Sequence, residues 1–267
     1  MLDLTDVQAF IIDMDGVLWH GEKPLPGFLA FFAVLRERGL PFVLATNNAA
    51  STPDQYVAKL ARMGVPVSRD EVLTSSLATA SYLAERTVPT ETRVFAIGED
   101  GVQQALAEQG FILRGLYEID ADYVVCGMDK GISWDKLATA TLNIRAGAQF
   151  IGTNGDTSLP TERGVTHGNG AILAAIQTGS GVAPVTIGKP APIMYQQAMA
   201  RLQIDPARTV AIGDRLETDI LGAINADIRS VMVLTGISDR EEVAREGYGP
   251  TWIVPGLPEI IEALRAA

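Results

Sequence analysis

Residues 9–19, Ala9-Phe10-Ile11-Ile12-Asp13-Met14-Asp15-Gly16-Val17-Leu18-Trp19, decide how this chain is built. Four apolar residues run into two carboxylates two positions apart, and a glycine follows. An apolar run without alternation is what a parallel strand buried on both faces requires. The same grammar recurs twice. Phe42-Val43-Leu44-Ala45 leads into Thr46-Asn47-Asn48, and Thr209-Val210-Ala211-Ile212 leads into Gly213-Asp214. Helical stretches lie between such runs. One covers 27–38 and ends at Gly39, and another starts at Thr52-Pro53-Asp54, with a cap residue, a proline and early negative charge. Strand, helix, strand, helix is the signature of a parallel α/β sheet. In an open parallel sheet the carboxyl ends of the strands share one pole, and ligands bind there.

The strand ends therefore bring distant residues together. Asp13, Asp15 and Asp214 supply carboxylates, Thr46 a hydroxyl, and Lys189 of Gly188-Lys189-Pro190 an ammonium. The run before Lys189 is more ambiguous as a strand, yet Lys189 is expected at the same pole. Two carboxylates as close as Asp13 and Asp15 need a counter-charge or a shared proton. Mg²⁺ takes one or two carboxylates plus phosphate oxygens and water. The set suits a divalent metal and a phosphoryl group. Taken singly, each residue has a plainer reading. Asp13-Met14-Asp15 could be a solvated acidic turn, Thr46 a strand-end threonine and Lys189 a surface lysine. Their common placement argues against those readings. Asp219 either orders metal-bound water, pairs with Lys189, or belongs to the first turn of the next helix.

The C-terminal part continues the pattern. A helix is expected over 217–225, then the strand Ser230-Val231-Met232-Val233-Leu234, and Ser238-Asp239-Arg240-Glu241 has the form of a capping box. A third α/β stretch sits in the middle. Its strands are expected at Arg93-Val94-Phe95-Ala96-Ile97, Tyr123-Val124-Val125-Cys126 and Gln149-Phe150-Ile151-Gly152, and its helices over 101–109, 134–146 and 170–177. Residues 81–184 are assigned to an inserted domain, and 1–80 with 185–267 to a discontinuous core.

The whole-chain properties agree. The 267 residues suffice for two cores. The chain has no apolar stretch of membrane-spanning length and no signal-peptide layout at its start. One cysteine, Cys126, excludes an internal disulfide, and a cytoplasmic enzyme is expected. The net charge of -11 disfavours a nucleic-acid backbone as partner. It also repels phosphorylated small molecules at long range, so a phosphate site needs local positive charge, which a metal and Lys189 would supply.

Asp13-Met14-Asp15-Gly16-Val17-Leu18 resembles motif I of the haloacid dehalogenase (HAD) superfamily of phosphatases. Thr46-Asn47-Asn48 resembles motif II, Lys189 motif III, and Gly213-Asp214-Arg215-Leu216-Glu217-Thr218-Asp219 motif IV. Order and spacing match along nearly the whole chain. Val17-Leu18-Trp19, Gly188-Lys189-Pro190-Ala191-Pro192 and the Gly-Asp-x-x-x-Thr-Asp run resemble the NagD-like, p-nitrophenyl phosphatase branch, which carries a large cap between motifs II and III. The resemblance implies a Rossmann-like α/β core with a parallel sheet and helices on both faces, plus an inserted α/β cap. It implies Mg²⁺-dependent hydrolysis of small phosphomonoesters through an aspartyl-phosphate, on substrates of the sugar phosphate, nucleoside monophosphate, phosphoglycolate or p-nitrophenyl phosphate type. By the same resemblance Asp13 is nucleophile and metal ligand, and Asp15 is acid and base and gives the metal its main-chain carbonyl. Asp214 completes the metal set, with Asp219 behind it. Thr46, Asn47 and Lys189 hold the phosphoryl group, helped by backbone N–H groups near Gly16 and Asn47.

The cap segment Thr153-Asn154-Gly155-Asp156-Thr157-Ser158-Leu159-Pro160 resembles one that overlies the active site in relatives. Asn154, Asp156, Leu159 and Pro160 are thus possible substrate contacts, against the plainer reading of a polar loop. Pairing of two chains through the cap is expected on the same footing. The expected partner is a small phosphorylated metabolite, with neither nucleic acid nor membrane. His20, His167, Cys126, Trp19, Trp134 and Trp252 are read as loop or packing residues. Two alternatives share the chemistry: a phosphotransferase or phosphomutase on the same core, and a non-enzymatic phosphoacceptor domain. Asp15 and the cap disfavour the latter. A dinucleotide fold is disfavoured by negative charge where a pyrophosphate would sit and by the lack of a G-x-G-x-x-G after the first strand.

Overall fold

The computed structural model describes residues 2–161 and 163–267, without the side chain of Pro160. The chain opens with β1 (Ala9–Ile12), a ribbon of β2 (Trp19–His20) and β3 (Lys23–Pro24), and α1 (Phe28–Glu37). β4 (Phe42–Thr46), α2 (Pro53–Arg62) and β5 (Val72–Thr74) follow. A middle stretch runs through α3 (Ser75–Ala84), β6 (Arg93–Ile97), α4 (Asp100–Glu108), β7 (Ile112–Arg114), β8 (Tyr123–Cys126), α5 (Trp134–Arg145) and β9 (Gln149–Gly152). It ends with β10 (Ser158–Thr161), β11 (Gly164–His167), α6 (Asn169–Ser180) and β12 (Val185–Thr186). The chain closes with α7 (Pro192–Leu202), β13 (Thr209–Gly213), α8 (Leu221–Asn225), β14 (Arg229–Val233), α9 (Arg240–Arg245), β15 (Trp252–Val254) and α10 (Leu257–Ala266).

Two compact units result. The first comprises residues 1–46, 54–73 and 189–267, the second 47–53 and 74–188. The second unit thus takes in 47–53, 74–80 and 185–188, which pattern alone places with the core.

The first unit is a six-stranded sheet in the order β15-β14-β13-β1-β4-β5. β1 lies parallel to β13 and to β4, with Ile12 opposite Ile212 and Leu44. Asp13 therefore leaves the sheet at the end where Thr46 and Asp214 leave it. The strands are continuous apolar runs because both faces are covered: every residue of β1, β4 and β13 is buried. Phe10, Ile12, Leu44, Val210 and Ile212 join Phe28, Phe31, Phe32 and Leu35 of α1 in one core. Phe32 meets Phe28 and Phe42 edge-on, each at 5.3 Å between centroids. A close-packed base of this kind holds the residues at the strand tips in place.

The second unit is a five-stranded sheet in the order β12-β9-β8-β6-β7, with its own core of Phe95, Ile97, Val124, Cys126, Phe150 and Ile176. The protein is thus an α/β core with a second α/β unit inserted, as the pattern predicts.

Three local expectations are corrected. Val185–Thr186 pairs with β9 in the second sheet, so Lys189 does not sit at the end of a core strand but on the turn before α7. The cap of α9 is Asp239, whose carboxylate accepts from Glu242 N–H; the Ser238 hydroxyl instead accepts from Leu216 N–H at 2.9 Å. The helix expected over 217–225 begins as a π-turn, Leu216–Ile220, before α8. The β10–β11 hairpin, α3, α7 and α10 were not expected from pattern.

Candidate active site

The Lys189 ammonium lies 2.5 Å from Asp13 Oδ1 and 2.6 Å from Asp219 Oδ1, and donates to Ala45 O at 2.9 Å. An ammonium has three N–H donors, and these partners use all three. Lys189 is 2% exposed, so its charge reaches its partners with little solvent screening. Burial alone would lower its pKa, but Asp13 and Asp219 outweigh that and raise it well above the ordinary lysine value. The lysine is a fixed cation.

Asp219 owes its position to the π-turn. Such insertions often occur at functional sites. Here the N–H of Ile220 reaches back to Arg215 O at 3.2 Å, and Asp219 Oδ2 accepts from Arg215 N–H at 3.1 Å. The Tyr195 hydroxyl holds the same turn by donating to Asp219 O at 2.8 Å.

Asp13, Asp214 and Asp219 each offer a carboxylate oxygen within 4.8 Å of the others. Burial raises the Asp13 carboxyl well above the usual aspartate range. Lys189 pulls it down, while Asp219 and Asp214 push it up. Burial and then Asp219 raise Asp214 to about 7. Two buried carboxylates, a third that is partly buried and one lysine leave an excess of negative charge. Asp214 Oδ2 accepts from Ile237 N–H at 2.9 Å, whereas Oδ1 is buried with no hydrogen-bond partner. A buried carboxylate oxygen without a donor is costly unless a cation takes that place. The donor set is all oxygen and anionic, which fits a hard divalent ion. Of the residues expected as metal ligands, Asp13 and Asp214 meet, and Asp219 joins them. The Asp15 carboxylate stands apart, taken up by Trp19 Nε1–H at 2.9 Å.

Two glycines make room for Asp214. Gly16 has φ +85°, and a Cβ there would stand 2.5 Å from Asp214 Oδ2. A Cβ on Gly236 would stand 1.9 Å from the same oxygen. Thr235 Oγ1 clamps this loop by donating to Gly16 O at 2.6 Å. Sequence reading missed Thr235-Gly236, whose one signal is a glycine just past the strand β14. Gly236→Ala is expected to push the Asp214 carboxylate aside and weaken divalent-ion affinity by about 10- to 100-fold, the scale of a disturbed ligand shell. Titration calorimetry with Mg²⁺ measures this, and unchanged affinity would refute the role of the glycine.

Asp15 keeps solvent access as a residue, but protein crowds its carboxyl. That desolvation raises its pKa, against the opposing pull of Lys59 and the Trp19 hydrogen bond. A raised carboxyl holds its proton to higher pH, as an acid catalyst must. Thr46 is buried at the tip of β4. The Gly16 N–H donates to Trp19 O at 2.9 Å, so among the N–H groups near Gly16 this one is engaged within the turn.

The remaining expected residues form a knot in the second unit. Asn47 Nδ2 donates to Asp156 Oδ1 at 2.8 Å, and Asn154 Nδ2 to Asn47 O at 2.8 Å. Asn169, missed from sequence, donates to Asn154 O at 2.8 Å. Asn154 is buried, with its amide turned to the main chain. Leu159 is half-buried on β10, opposite Thr166. The Pro160 side chain lies outside what the structure describes.

Comparison with known proteins fits this geometry. Residues 10–112 match the family model for haloacid dehalogenase-like hydrolases, and residues 186–260 match a HAD-hydrolase-like model. The chain is 39% identical over 261 residues to an acid sugar phosphatase of Staphylococcus saprophyticus, covering 98% of this chain and 99% of that protein. It is 38% identical over 254 residues to the 5'-nucleotidase YutF of Bacillus subtilis, covering 95% and 97%. The crystal structure of a 4-nitrophenylphosphatase from Thermotoga maritima superposes with a TM-score of 0.92 at 33% identity, covering 98% of each chain. The protein is a phosphoric monoester hydrolase built on an α/β core with an inserted α/β cap. It belongs to the haloacid dehalogenase-like hydrolase family, with the p-nitrophenyl phosphatases among its relatives.

Proposed function

We propose that this phosphatase is Mg²⁺-dependent, acts on a small phosphorylated metabolite in the cytoplasm, and works through an aspartyl-phosphate on Asp13. The observation that carries the reading is the excess of carboxylate around Lys189, with Asp214 Oδ1 buried and unpartnered.

Asp13 and Asp214 would hold the ion, with the main-chain carbonyl of Asp15. The bound ion would offset the charge of the attacking carboxylate and of the phosphoryl oxygens. The Asp13 carboxylate attacks phosphorus, forming an O–P bond as the ester O–P bond breaks with its electron pair going to the leaving oxygen. Asp15 gives that oxygen its proton. A water then attacks the aspartyl-phosphate and loses a proton to Asp15, while the Asp13 O–P bond breaks and phosphate is released. Lys189 is placed by its three partners to lower the repulsion between Asp13 and an incoming phosphate dianion. Thr46, with Asn47, is assigned to the phosphoryl oxygens.

Relatives named for a sugar phosphate, a nucleotide and an aryl phosphate support a small phosphomonoester as substrate class. Among the described residues no helix is long and apolar enough to cross a membrane. A homodimer paired through the second unit belongs to the proposal. The test is hydrolysis of p-nitrophenyl phosphate with Mg²⁺ and with EDTA, followed by a panel of sugar phosphates, nucleoside monophosphates and phosphoglycolate ranked by kcat/KM. Full activity in EDTA would overturn the metal assignment.

A further inference from the structure

Trp19 is fully buried in the core of the first unit, its ring edge-on to Phe28 at 6.4 Å. A buried indole N–H needs an acceptor. Here the acceptor is Asp15 Oδ1, at 2.9 Å. The turn between them is tight: Leu18 N–H donates to Met14 O at 2.8 Å, and Gly16 N–H to Trp19 O. Over the face of the ring, Lys59 Nζ lies 4.4 Å from the ring centroid. Lys59 also donates to Gly21 O at 2.7 Å and stands 3.4 Å from Glu22. Core, indole, ammonium and ribbon therefore hold one carboxylate oxygen.

We infer that Trp19 is the positioning residue for proton transfer by Asp15, held in place by Lys59. This rests on the reading of Asp15 as the acid. An indole nitrogen donates and cannot accept. While it donates to Oδ1, that oxygen is the better acceptor as the carbonyl, so the acidic proton of Asp15 is favoured on Oδ2. The acid is thereby biased to one rotamer and one protonated oxygen, and part of the entropy of finding that arrangement is removed from the transition state. When Asp15 takes the proton of water, the same N–H stays in place and favours the carboxylate form.

Leaving-group dependence separates this role from packing. A nitrophenolate departs without being protonated, whereas a phenolate needs the proton far more. The two esters have nearly the same shape, and kcat/KM reports the steps up to loss of the leaving group. Trp19→Phe keeps the ring and removes the N–H. It is expected to lower kcat/KM on phenyl phosphate about tenfold or more, the scale of one hydrogen bond to a charged group. On p-nitrophenyl phosphate the loss should stay below about threefold, as expected for a step that needs no proton. Lys59→Met, which keeps an unbranched side chain and removes the ammonium from the ring, should shift the ratio of the two values the same way by about threefold, as a cation–π contact of modest strength would. Equal losses on both esters, or no loss, would overturn the inference. Asp15→Asn is the reference. If it shows the leaving-group dependence and Trp19→Phe and Lys59→Met do not, the positioning role alone fails. If Asp15→Asn shows none, the acid assignment fails and takes the inference with it.

Discussion

Asp13→Asn is expected to lower kcat on p-nitrophenyl phosphate on the order of 10⁴-fold or more, the scale for removing a covalent nucleophile. The amide cannot attack phosphorus, and two neighbouring carboxylates are engaged elsewhere. The Asp219 carboxylate is turned to Lys189 and to the Arg215 N–H, and that of Asp15 to Trp19. The fold should survive. An amide oxygen can still accept from Lys189, and Asp219 still neutralises the ammonium. Burial already raises the Asp13 pKa, so a neutral side chain there relieves repulsion from Asp214 and Asp219. The thermal midpoint in EDTA should therefore hold or rise. Activity above about one per cent of wild type, far more than loss of a nucleophile allows, would sink the assignment.

Lys189→Met is expected to damage both activity and stability. The substitution leaves Asp13 and Asp219 buried without the cation between them. Removing one partner of a buried ion pair costs about 3 to 5 kcal/mol. The deficit should depend on pH. Burial already raises the Asp13 carboxyl, and without the lysine it loses the charge that pulls it down. Its neutral form fits, so less is lost at low pH. The deficit grows as the pH rises from the unfolded value of 3.8 toward the raised folded one. Urea unfolding of both proteins in EDTA at pH 4.5 and pH 8 measures this. A deficit independent of pH would show that Lys189 acts by packing alone. For activity, the loss should be at least about 10²-fold, as for removal of one fixed charge from a phosphoryl site, and Lys189→Arg should not restore it. The guanidinium is larger and planar, and cannot place three donors on Asp13, Asp219 and Ala45.

Much of this was legible in the chain because the relevant residues directly follow buried parallel strands. Ile12, Leu44 and Ile212 stand side by side in register, so Asp13, Thr46 and Asp214 had to emerge together. Lys189 was found by its motif and misplaced in its setting. The two residues of β12 are too short a run to announce which sheet they join, and they pair with β9. Asp219 was ambiguous because a helical first turn and a π-turn look alike in sequence. Trp19 was read as packing, which it is. Its second task depends on where one N–H points, and no periodicity records that.

What the amino-acid sequence by itself determined was the reaction class and the pole at which it occurs. Continuous apolar runs alternating with helices point to a covered parallel sheet, and that sheet puts its charged run-ends on one side. What only the tertiary structure decided was how those charges are shared. Lys189 is divided between Asp13 and Asp219, Asp214 keeps one oxygen unpartnered, and Asp15 is turned to an indole. The physical reason is that a strand's being buried on both faces shows in its local pattern, whereas hydrogen-bond partners depend on distances of a few ångströms between distant segments, such as Gly16 and Thr235, 219 residues apart, a scale that sequence spacing does not record.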